Sequence, residues 1–372
     1  MQRAVFLAVH AAGLCVLAWL ALLAPAPTHL LFSDQHTPDR TRFVDLFAGR
    51  QFEESEAQAY LPTVLVTGGL GFIGHRISAH VQARGHNLVV VDSGAHGAAL
   101  NPDANWIVAD VTHSATLANI NLYYNFKKVN CLVHAAGVPP FRPGGEAVQH
   151  AEGTRNILQW AVDNNCKRVV TLSSIYGSET GEFASSKADM ESVQKEFWER
   201  FNLTSVVLRL PVVYGPGDVY GPVAHAFYAG DVHTNDAYTA LDLVYVEDVA
   251  KAALEFCDLR MTNMDVAAMG SGVLTSSAEL AEKVAMAKGG KELRKRKGYP
   301  IYEGQHPAWN QFNGTKSDNK FMRVAFNYKP TPLEHGLKMT HRWLKSLKEG
   351  DVERQQDMLS KERHRLGIYS YS

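Results

Sequence analysis

Thr63-Val64-Leu65-Val66-Thr67 runs directly into Gly68-Gly69-Leu70-Gly71-Phe72-Ile73-Gly74. The first five residues are a short apolar, β-branched run, the pattern of a strand buried on both faces. A helical pattern follows to Arg84 and is closed by Gly85. Glycines between a strand and a helix permit a tight turn and let a pyrophosphate approach the backbone, where the helix N-terminus favours negative charge. Leu88–Asp92 is the next strand, and it ends on an acid 18 residues after Gly74. A carboxylate at that spacing binds ribose hydroxyls and repels a 2′-phosphate, so the pattern predicts a dinucleotide site that prefers NAD to NADP.

Outward from this turn, Trp106–Asp110, Cys131–His134, Arg168–Ser174 and Ser205–Leu210 read as further strands, with helical stretches between them. That alternation implies an α/β fold with a doubly wound parallel sheet covered on both faces. A chain of 372 residues has room for one large α/β domain and a smaller companion. Hydrophobic residues make up 46% and charged residues 20%, enough apolar material for a core. Lys+Arg 37 against Asp+Glu 38 gives a net charge of -1, which argues against nucleic acid as a partner. Four cysteines without a CxxC pair exclude a disulfide scaffold, and Cys131, Cys166 and Cys257 read as buried free thiols. The 16 histidines show no metal-binding spacing, so no metal is expected.

The N-terminus carries a different signal. Ala4–Ala24 is a run of 21 residues without a charged side chain, and at about 1.5 Å per residue it reaches roughly 30 Å, enough to cross a hydrocarbon core. Arg3 precedes it, and the next basic residue is Arg40. The positive-inside rule then leaves residues 1–3 in the cytosol and sends the rest across, as a single-pass type II membrane protein of the endoplasmic reticulum or Golgi. A cleaved signal peptide is the competing reading. Residues 25–61 read as a stem, 62–348 as the folded domain and 349–372 as a polar tail. Asn202-Leu-Thr and Asn313-Gly-Thr become glycosylation acceptors if the domain is lumenal. The run Lys288–Lys297 holds six basic residues. It reads either as a solvated loop or as a contact for anionic headgroups or a diphosphate.

The spacing Thr67-Gly68-Gly69-x-Gly71-x-x-Gly74 resembles that of the extended short-chain dehydrogenase/reductases, the NAD-dependent epimerase/dehydratase group. Further motifs resemble that family in order. Asp110-Val111 matches its adenine-contacting pair, and His134-Ala135-Ala136-Gly137 matches the turn that lines the cofactor. Gly153-Thr154-Arg155-Asn156 matches a helix start usually written Asn-x-x-Gly-Thr-x-Asn, with His150 in place of the first Asn. Arg209-Leu-Pro211-Val-Val-Tyr-Gly-Pro-Gly and Tyr245-Val-Glu-Asp-Val-Ala match later turns. The resemblance implies a Rossmann domain and a smaller C-terminal substrate lobe, drawn mainly from 211–240 and 265–335. It also implies NAD held by Thr67, Gly68, Gly71, Phe72, Ile73, Gly74, Asp92, Asp110, Val111, His134 to Gly137, Lys187 and Pro211. A homodimer is compatible with it.

The chemical half departs from the family. Its enzymes use Tyr-x-x-x-Lys, with Tyr as the proton-transfer group and Lys on the nicotinamide ribose. Here the helix reads Phe183-Ala-Ser-Ser-Lys187, so Phe183 stands at the tyrosine position. Phenylalanine has no ionisable proton, and losing such a group costs about 10²–10⁴ in rate. Ser174, with Ser173 as the alternative, is expected to hold the substrate hydroxyl. Tyr176 is either a replacement phenol or only the aromatic of the Tyr-Gly turn.

The substrate stays open between a nucleotide sugar and a sterol. The stretch before Tyr245 carries Asp242 and lacks the Arg frequent in nucleotide-sugar enzymes, a feature shared with 3β-hydroxysteroid dehydrogenase relatives. The N-terminal anchor and stem resemble those of secretory-pathway UDP-glucuronate decarboxylases. A third reading is a dinucleotide-binding protein with weakened turnover and a sensor or interaction role.

Overall fold

The computed structural model describes residues 61–94, 106–123, 128–137, 150–166, 168–177, 181–218, 221–229, 240–259, 262–289 and 314–346. All of them lie in the second of the two units into which the chain divides, Phe52–Ser372. The expected membrane run, most of the stem, Asn313, most of the basic run and the C-terminal tail lie outside the described residues. Among the described residues no helix is long and apolar enough to cross a membrane.

Seven strands form one parallel sheet in the order β3-β2-β1-β4-β5-β6-β9. They are β1 (Thr63–Thr67), β2 (Asn87–Asp92), β3 (Ile107–Val108), β4 (Cys131–His134), β5 (Val169–Ser174), β6 (Ser205–Leu210) and β9 (Met264–Ala268). The order reverses direction at β1, where β1 pairs with β2 on one side and β4 on the other. Such a switch point leaves a crevice outside the carboxyl ends of the strands, where ligands bind in open α/β sheets. The predicted Rossmann sheet is present, and β3 is shorter than its predicted Trp106–Asp110.

Alternation along the strands sends side chains to two layers. Val64 and Val66 of β1 pack with Ile77 and Val81 of α1 (Phe72–Ala83) and with Val249 and Ala253 of α6 (Val246–Asp258). Leu65 faces the other way, toward Ile157 and Leu158 of α3 (His150–Asp163) and Phe197 of α4 (Glu182–Phe201). Each fully buried aliphatic side chain of this kind stabilises the fold by about 1.5–3 kcal/mol. The short α2 (Ala118–Tyr123) lies between β3 and β4 in the chain.

A second, smaller sheet stands beside the first. β7 (Val212–Tyr214), β8 (Ala240–Tyr245) and β10 (Leu274–Ser276) form a three-stranded sheet in the order β10-β8-β7. Against it pack α5 (Pro222–Ala229), α7 (Ser277–Lys288) and α9 (Leu333–Ser346), whereas α8 (Lys320–Phe326) packs on α6 and the main sheet through Met322 and Phe326. Asp242 of β8, fully buried, accepts hydrogen bonds from the Ser271, Gly272 and Ser317 amides and the Ser271 hydroxyl. It ties three chain segments together, a structural use for the acid noted in the sequence.

One expectation is corrected. Cys131 of β4 and Cys257 of α6 are joined by a disulfide, with their Cα atoms 5.5 Å apart and a sequence separation of 126. Linear spacing hid the pair, because β4 and α6 meet only once the helix packs on the sheet. Cys166 is a buried free thiol as expected, its pKa raised to about 11 by burial.

Candidate functional site

The glycine turn sits at the switch point. Gly68 adopts φ +67 and donates its N–H to Val91 O at 2.8 Å. A side chain there would be strained by backbone conformation, and its Cβ would also stand 2.7 Å from the Ala136 backbone. A Cβ on Gly74 would overlap Gly68 O, so the helix can start this close to the turn only with glycine. Gly71 precedes α1 without a side-chain cap, which leaves the first amides of Phe72 and Ile73 available to an anion. At the end of β2 the buried Asp92 carboxylate accepts from Leu70 N at 3.1 Å and Gly94 N at 2.8 Å. Burial raises its pKa, and those amides oppose the rise. A cradle that a Cβ would fill, beside an uncapped helix start and an oriented acid, fits a dinucleotide.

The other expected cofactor residues have their own supports. Asp110 turns its carboxylate to the Thr112 amide and hydroxyl, and Val111 packs against Gly153 of α3. Thr67 Oγ1 is 2.8 Å from His134 Nδ1, and His134 Nε2 is 3.1 Å from Thr154 Oγ1. His134 thus bridges β1 to α3, its pKa lowered to about 3 by burial and then by Lys187. The Ala135 amide bonds to Thr67 O, Ala136 backs onto Gly68, and Gly137 faces His150 and Lys187. Pro211, between β6 and β7, lies against Gly270.

Lys187 and Phe183 stand one turn apart on α4. The Lys187 ammonium is buried, donates to Leu172 O at 3.3 Å and lies 5.8 Å from the Phe183 ring centre. Burial lowers its pKa to about 8, with Glu191 opposing. The two serines separate by strand alternation. Ser173 faces α4 and donates to Glu191 Oε1 at 2.6 Å, and Arg209 grips the same carboxylate. Ser174 faces the other layer at the strand end and accepts from the Tyr176 amide at 3.2 Å. Tyr176 is 2% exposed, within the apolar cluster of Val212, Tyr214 and Phe227.

Two features carried little signal in the sequence. The Glu191–Arg209 pair links α4 to β6 across 18 residues, and nothing in linear spacing marks it. His150 stood out only as a departure from the family motif, and it lies beside Gly137 and edge-on to the Phe183 ring at 6.1 Å.

Residues 64–263 match the NAD dependent epimerase/dehydratase family. The chain is similar to UDP-glucuronate 4-epimerase 4 of Arabidopsis thaliana, 24% identical over 78% of this chain and 76% of that protein. Its fold is similar to UDP-glucose 4-epimerase of Thermotoga maritima solved with UDP-glucose, at TM-score 0.64 and 22% identity. That match covers 76% of this chain and 98% of the other. UDP-glucose 4-epimerase of Thermus thermophilus, solved with NAD, gives TM-score 0.62 and 22% identity over 77% of this chain and all of the other.

Proposed function

The chain belongs to the NAD dependent epimerase/dehydratase family, an enzyme family with NAD as its cofactor, and from that premise we propose that it oxidises a carbinol of a nucleotide sugar by hydride transfer. The observation that carries this reading is a chain of contacts: Asp92 accepts from the glycine turn at Leu70 N, the turn backs onto Ala136, and the adjoining Gly137 faces Lys187. The nucleotide-sugar class is supported by the UDP-sugar enzymes among its relatives.

Thr67 to Gly74 and the first amides of α1 would hold the pyrophosphate of NAD, Asp92 the adenosine ribose and Lys187 the nicotinamide ribose. Bound NAD supplies a hydride acceptor. The carbinol proton must go to a base, and Lys187, whose depressed pKa makes its neutral form accessible near neutrality, would take it up. Ser174 would orient the substrate hydroxyl, a reading supported by the engagement of Ser173 with Glu191. We give Tyr176 a packing role, on its burial among apolar side chains. Phe183 supplies no proton, so the phenol of the family mechanism is missing at its usual position.

Phe183 also favours a second reading, a dinucleotide-binding protein with slow turnover. Incubating the full chain with NAD and a UDP-sugar panel, followed by chromatography of the sugars, separates the two. A new epimer or a decarboxylated sugar supports the first reading, and NAD binding with an unchanged sugar pool supports the second.

We also infer a membrane-anchored chain with the domain lumenal. The Ala4–Ala24 run behind Arg3 motivates it. The Cys131–Cys257 disulfide supports it, because such bonds persist in oxidising compartments. The exposed Asn202 of its sequon is compatible with it.

A further inference from the structure

His150 is the first residue of α3, and it is 6% exposed. Its Nδ1 lies 2.9 Å from Ser186 Oγ, and that hydroxyl donates its hydrogen to Phe183 O at 2.9 Å. A hydroxyl has one hydrogen to give. With it committed to Phe183 O, Ser186 can only accept from His150, so Nδ1 carries the ring proton. Nε2 is then a bare acceptor. It is fully buried and meets no hydrogen-bond partner among the described residues.

A buried acceptor without a partner costs about 1–3 kcal/mol, and such groups in native folds call for a ligand or water. The surroundings say which kind. A Cβ built on Gly137 would stand 2.8 Å from His150 Nε2 and 3.8 Å from Lys187 Nζ. Phe183 flanks both, 6.1 Å from the imidazole ring and 5.8 Å from Lys187 Nζ. Gly137 therefore backs directly onto the imidazole, and an acceptor, a cation and an aromatic ring converge beside it. A hydroxyl oxygen accepts from the ammonium while its hydrogen goes to the imidazole. A carboxylate or phosphate would instead face the lone pair of Nε2.

We propose that His150 Nε2 is a binding site for a hydroxyl of a sugar ring, shared with Lys187. The ring is either the nicotinamide ribose or the sugar of the substrate. For the second source the inference rests on the nucleotide-sugar reading. Burial first, then Lys187 and His134, lower the His150 pKa to about 2, so the ring stays neutral and Nε2 stays an acceptor across the physiological range.

The test uses the full chain, with NAD and UDP-glucose as probes. Calorimetric titration compares the native chain with His150→Phe, which removes the acceptor, and His150→Gln, which restores an oxygen at similar reach. His150→Phe should weaken one ligand by about 3- to 10-fold, the worth of one hydrogen bond, and His150→Gln should recover most of it. A loss for NAD alone identifies the ribose. A loss for UDP-glucose on the NAD-saturated chain identifies the substrate. Nitrogen NMR of the histidine-labelled native chain gives a readout that needs no variant. It should show the Nδ1–H tautomer at His150 and an Nε2 resonance that moves when one probe is added. Equal affinities for native chain and folded His150→Phe, or an Nε2–H tautomer, would overturn the inference while leaving the family reading intact. Failure of both probes to bind the native chain would overturn both.

Discussion

At Phe183 the chain keeps the ring of the family tyrosine and loses its oxygen. A hydroxyl restored there would stand beside Lys187, whose charge favours phenolate and lowers the phenol pKa. Phe183→Tyr should therefore raise turnover, by about 10²-fold where the rest of the site is intact, with little change in NAD affinity. Single-turnover kinetics on both forms checks this. Faster turnover by the native form would place the proton-transfer group elsewhere. Lys187 itself carries a pH signature. Its pKa falls from an ordinary 10.5 to about 8 through burial. Between those values the unfolded chain holds a proton that the fold has released, so stability rises with pH across that window. Below it the buried ammonium costs the fold about 3 kcal/mol. Lys187→Met should melt higher than the native chain at pH 7, and thermal unfolding should show the gap closing as pH climbs from 8 toward 10.5.

At the level of elements, the disulfide between β4 and α6 is a covalent tie inside an apolar layer. It closes a loop of 126 residues, and removing a bond of that span costs about 2–5 kcal/mol. Cys131→Ala with Cys257→Ala should lower the denaturant midpoint accordingly, and an unchanged midpoint would show that the thiols are unpaired in solution. The contrast with the glycine turn explains what the sequence could disclose. The turn is local: strand, glycines, helix and acid follow one another from Thr63 to Asp92, so periodicity and spacing exposed it. The disulfide, the Glu191–Arg209 brace and the Asp242 hub join segments distant in the chain, and only packing brings them together. The bare Nε2 of His150 was equally hidden, because it depends on which way the Ser186 hydroxyl points. Phe183 was legible because a neighbouring motif, Ser-Lys187, fixed its position in the helix.

At the scale of the whole molecule, two independent features bear on placement: an apolar N-terminal run behind a lone basic residue, and a disulfide inside an NAD-type fold. In sealed microsomes the domain should resist added protease until detergent is present, and digestion without detergent would refute lumenal placement. The domain's glycine turn and Asp92 fit a dinucleotide, UDP-sugar enzymes are among its relatives, and Phe183 stands where the family has its phenol. The most direct measurement mixes the full chain, loaded with NAD, with UDP-glucose, UDP-glucuronate and 3β-hydroxysteroids in turn, and follows the absorbance of reduced nicotinamide in a single turnover. The account predicts a slow rise with at least one UDP-sugar and none with the steroids. A rise with steroids alone, or no rise with any UDP-sugar from either the native chain or Phe183→Tyr, would contradict it.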